Sequence, residues 1–69
     1  MPERNCMLTR TELTTARLFL QHAHASVLWV GSLFFADGNS GAAARLNDVA
    51  ARLVDQIADI DTLLKAAKP

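Results

Sequence analysis

His22 and His24, one residue apart, are the side chains in this chain best suited to holding a metal ion. Whether they can act together depends on the backbone between them. On a strand, residues two apart share a face; on a helix they diverge by about 200° and cannot close on one ion. Helical metal sites use i,i+3 or i,i+4 spacing, and no His, Cys, Asp or Glu stands at either spacing from these histidines. The run Asp37-Gly38-Asn39-Ser40 has oxygen ligands but lacks the twelve-residue spacing and closing glutamate of a calcium loop, and reads as a turn. Cys6 is the single cysteine, so it forms no intrachain disulfide and suits a reducing, cytoplasmic setting. There is no glycine-rich phosphate loop and no nucleophile beside a base. The expectation is a non-enzymatic chain with no catalytic, cofactor-binding or metal-ligating residues.

The histidines lie in a helical pattern. Thr9-Arg10-Thr11-Glu12 fits a capping box, in which the threonine hydroxyl and the glutamate satisfy each other's backbone N–H groups. From there apolar residues recur at alternating spacings of three and four: Leu13, Ala16, Leu20, Ala23, Val27, Val30, Phe34. Gly38 suits the left-handed residue that ends a helix, and Asn39 or Ser40 suits the cap of the next. A second stripe runs through Ala43, Leu46, Ala50, Leu53, Ile57, Ile60 and Leu64.

The spacing predicts a tail over 1–8, one helix over about 10–36, a turn over 37–41 and a second helix over about 42–67. Helices of matched length joined by so short a turn form an antiparallel hairpin, an all-α fold within a single domain. Side-chain sizes favour this pairing, with large Phe34 opposite small Ala43, Val27 near Ala50, Ala23 against Leu53 and Val54, and Leu20 against Ile57. The outer face of the second helix is conventionally polar. Asp48 with Arg52, and Asp61 with Lys65, stand in the favourable i,i+4 order.

The first helix is different. From Leu18 to Ala36 it carries no charge, and outside its stripe it still holds Leu18, Phe19, Leu28, Trp29, Leu33 and Phe35. A helix apolar on more than one face must be covered on more than one face, and one hairpin neighbour cannot do this. A chain of 69 residues also gains little stability from one core and has no staple. The expected answer is self-association of two hairpins into a four-helix bundle. Leu18, Phe19, His22, Ser26, Trp29, Leu33 and Phe35 are the candidate interface, and Ala25, Gly31 and Ser32 would allow close approach.

Seven basic and seven acidic residues leave no net charge, which disfavours nucleic acid as a partner. The uncharged run approaches the ~20 residues that span a bilayer. Gln21, His22, His24, Ser26, Gly31 and Ser32 interrupt it, however, and no Lys/Arg cluster flanks it. Function is therefore expected in protein–protein interaction: a homodimer that binds a larger protein as a regulator or inhibitor of the antiactivator type. Two alternatives are a secretion co-chaperone or subunit of an obligate heterocomplex, and a small single-span membrane protein.

Overall fold

The structure is a computed structural model that describes residues 8–66. Helix α1 runs Arg10–Ala36 and helix α2 runs Ser40–Ala66, each of 27 residues. They pack along their whole length as an antiparallel hairpin, a single layer measuring 47 × 26 × 14 Å. The tail expected over the first residues, with Cys6 in it, falls outside the described residues apart from Leu8.

Both helices begin and end where their side chains can satisfy free backbone groups. Thr9 caps α1: its hydroxyl accepts from the Glu12 N–H at 3.0 Å, and the Glu12 carboxylate accepts from the Thr9 N–H at 2.9 Å. At the other end Asn39 N–H donates to Phe34 C=O and Gly38 N–H to Phe35 C=O, the paired bonds of a Schellman motif. This closure needs a left-handed residue, and Gly38 supplies it with φ +87°.

Asn39 ends one helix and starts the next. Its side-chain oxygen accepts from Ala42 N–H, and its carbonyl accepts the first helical bond, from Ala43 N–H. That double use shortens the turn to Asp37-Gly38-Asn39. Helix α2 therefore starts at Ser40, two residues before the position expected from the sequence.

Leu13, Ala43 and Ala50 are the buried apolar side chains among the described residues, and Gly31 is buried with them. Leu20, Val27 and Val30 of α1 are half-buried, as are Leu46, Leu53, Ile57, Ile60 and Leu64 of α2. The seam is the expected stripe with three corrections. Phe34 stays 39% exposed instead of closing onto Ala43. Gly31, expected to serve an approach between hairpins, packs inside this one, against Leu46, Asn47 and the Ala43 carbonyl. Gly31 and small Ala43 occupy the seam at this level, and Phe34 is left at its edge. Val54, expected beside Ala23, is also exposed.

The expected i,i+4 pair between Asp61 and Lys65 is replaced by a bond across the seam. Arg17 Nε donates to Asp61 Oδ1 at 2.5 Å, and this is the ion pair present among the described residues. Asp61 sits on the flank of α2 that faces Arg17, so the closer cation lies on the other helix. Asp48 and Arg52 form no such pair. Arg10 Nη1 reaches the Leu64 carbonyl at 3.0 Å, placing a cation at the C-terminal end of α2. The open end of the hairpin is thus tied by polar contacts and the closed end by caps.

Candidate interaction surface

Two helices in one layer share one seam, and everything else faces solvent. In each heptad the seam takes two positions, and the positions beside it form two flanks. On one flank α1 presents Arg17, His24 and Gly31, and α2 presents Asn47, Val54 and Asp61. The Arg17–Asp61 pair and the approach of Asn47 to Gly31 show that these two rows lie on the same side. A groove near the closed end of this flank is lined by Leu28, Gly31, Ser32, Phe35, Ala43 and Asn47.

The opposite flank carries Glu12, Phe19, Ser26 and Leu33 from α1, and Val49, Gln56 and Leu63 from α2. A shallower apolar hollow there is lined by Val30, Leu33, Phe34 and Asp37. The far edge of α1, turned away from α2, carries Leu18, His22, Ala25 and Trp29 at helical spacing.

All seven residues of the expected interface are exposed in the hairpin. Phe35 at 70%, Trp29 at 66% and Phe19 at 64% are the most exposed of the large apolar side chains. Six of the seven adjoin along one side of α1, where Trp29 stands one turn from Ser26 and Leu33 and His22 one turn from Leu18, Phe19 and Ser26, while Phe35 lies apart. Phe19, Ser26 and Leu33 stand together on the apolar flank. Leu18, His22 and Trp29 form the outer edge, and Phe35 belongs to the groove on the flank that holds Arg17 and Asp61. His22 is exposed and His24 half-buried on different sides of α1, as the helical geometry requires. Among the described residues no group of three His, Cys, Asp or Glu is placed to hold a metal ion.

No protein-family model, curated protein or solved structure matches this chain.

One hydroxyl group within the apolar surface is satisfied locally. Ser32 donates to the Leu28 carbonyl at 3.1 Å, so one polar residue of the groove adds no unmet hydrogen-bond demand to a covering surface. The missed signal was the split of the apolar residues between flanks, together with the α2 contribution from Val49 and Leu63. It is encoded in the heptad positions of both helices, but reading it requires knowing which flanks face the same way.

Proposed function

We propose that this chain is a small non-enzymatic protein-interaction module, a regulator or inhibitor of the antiactivator type that binds a larger protein through the outer edge of α1. The observation that carries this reading is Trp29, 66% exposed on a helix with no charge from Leu18 to Ala36. Exposed aromatic side chains ringed by apolar residues are the usual anchors of protein interfaces, where a single tryptophan can supply most of the affinity. Ala25, Ser26, Ser32 and Leu33, one turn away on α1, provide the surround that would exclude water from such an anchor.

The test is capture from the source cells with the tagged chain after mild crosslinking. A discrete protein held in stoichiometric amount by the wild-type chain, and lost about 30-fold or more with Trp29→Ala, supports the reading. Equal recovery with both chains counts against it.

One observation favours a second reading. Helix α1 is long and apolar enough to cross a membrane by length and composition, and little of its most apolar window is buried. In that reading α1 inserts as a single span and α2, with its charged outer face, stays at the surface. Flotation with phosphatidylcholine vesicles separates the two: co-flotation favours the span, and recovery in the dense fraction favours the protein-interaction module.

A further inference from the structure

We infer that the flank carrying Phe19, Leu33, Phe34, Val49 and Leu63 is the surface on which a second copy of this chain docks, the two hairpins stacking layer on layer as a four-helix bundle. The outer edge that holds Trp29 adjoins this surface, with Trp29 one helical turn from Leu33.

Both helices build the flank, and that decides the shape of the occupant. The hairpin is 26 Å wide, whereas one helix with its side chains is about 10–12 Å across. A single docking helix would leave much of the flank in water, while a layer of two helices matches its width. At 14 Å thick the hairpin is itself one such layer, and helical domains are stable when two layers enclose a core between them.

Area agrees with this match. Phe19 is 64% exposed, Leu33 50%, and Phe34, Val49 and Leu63 close to 40%. At roughly 150–250 Å² for a whole aromatic side chain, the exposed parts of these five come to about 400 Å². Each partner in a standard interface buries about 800 Å², roughly 65% of it apolar in homodimers. The flank therefore supplies most of the apolar surface that one stable dimer contact uses.

The flank is nearly free of charge, as a surface buried between two copies must be. Glu12 is the one charged residue on the flank's heptad positions, and it lies at the open end of the hairpin. Arg45, Arg52 and Asp59 border the same flank along the outer side of α2, and among the described residues none of them forms an ion pair. The other flank, with Arg17, His24 and Asp61 along it, offers no comparable uncharged surface.

Sedimentation equilibrium on the full chain tests this. The wild-type chain is expected at the mass of two chains in the micromolar range. Phe19→Arg and Leu33→Arg should each raise the dissociation constant about 30-fold or more, and Val54→Arg on the opposite flank should leave it within about threefold. Where an arginine variant loses its helical circular dichroism, a crosslinking pair gives the answer in a chain carrying Cys6→Ser. Ser26→Cys is expected to couple two chains through a short bis-maleimide, and Asn47→Cys is not. A helical wild-type monomer at high micromolar concentration would overturn the inference, as would a dimer indifferent to Phe19→Arg, or crosslinking at 47 but not at 26. Sedimentation of the pure chain involves no larger protein, and capture of a larger protein requires no dimer, so this inference and the binding of a larger protein fail separately.

Discussion

Gly31 and Leu46 face each other across the seam with room for one methyl group between them. A Cβ built on Gly31 would stand 3.7 Å from the Leu46 Cβ and 3.9 Å from Asn47 Oδ1, ordinary contact distances. Glycine inside a helix costs about 1 kcal/mol relative to alanine, and here the space asks for no such sacrifice. Gly31→Ala is expected to stabilise the fold by about 0.5–1 kcal/mol, read from urea unfolding by circular dichroism at fixed protein concentration. A loss of stability would mean that the helices approach more closely at this level than these distances allow.

Leu13 anchors the open end. It is 3% exposed, the large side chain most completely enclosed by the seam, whereas Leu18 five residues on is 48% exposed. Leu13→Ala should cost about 2–4 kcal/mol, a large share of the stability of so small a chain. Leu18→Ala should cost well under half of that in the same unfolding measurement. Equal losses would place Leu18 in a contact outside the hairpin seam.

The turn depends on two adjacent residues for different reasons. Gly38 at φ +87° makes a conformation that side chains disfavour, so Gly38→Ala is expected to cost about 1–2 kcal/mol. Asn39→Ala removes the acceptor for Ala42 N–H and should cost about 1 kcal/mol, whereas Asn39→Gly should cost only a few tenths. Similar losses for both Asn39 variants would show that the side-chain cap is not what starts α2.

Arg17 and Asp61 join the helices, yet their side chains are 38% and 41% exposed. Exposed pairs of this kind contribute about 0–1 kcal/mol, and salt weakens them. Arg17→Ala is therefore expected to lower stability by less than about 1 kcal/mol at low salt, with the difference shrinking at high salt. A larger loss that salt does not touch would point to packing by the arginine stem instead of its charge.

Much of this fold is legible because its signals are local. The capping box at Thr9 and Glu12, the left-handed Gly38 and the three-four spacing of the stripes each depend on neighbours within one or two turns. The start of α2 was harder to place, because Asn39 serves both helices and the five polar or glycine residues from Asp37 to Gly41 read equally well as a longer loop. The partner of Asp61 is hidden in the sequence for a related reason. Lys65 is four residues away in the sequence, but Arg17, 44 residues earlier, lies nearer across the seam.

The sequence by itself determined two helices, their hairpin and the surplus of apolar side chains on α1, since periodicity and caps act within a helix. Only the packing of the helices decided where that surplus goes. Their rotation about the seam puts Gly31 inside and Trp29 at the outer edge, and sets Phe19 and Leu33 on one side with Val49 and Leu63. Which flank is polar and which apolar depends on how two heptad patterns are turned toward each other. Side chains from both helices meet to set that rotation, and neither pattern contains it alone.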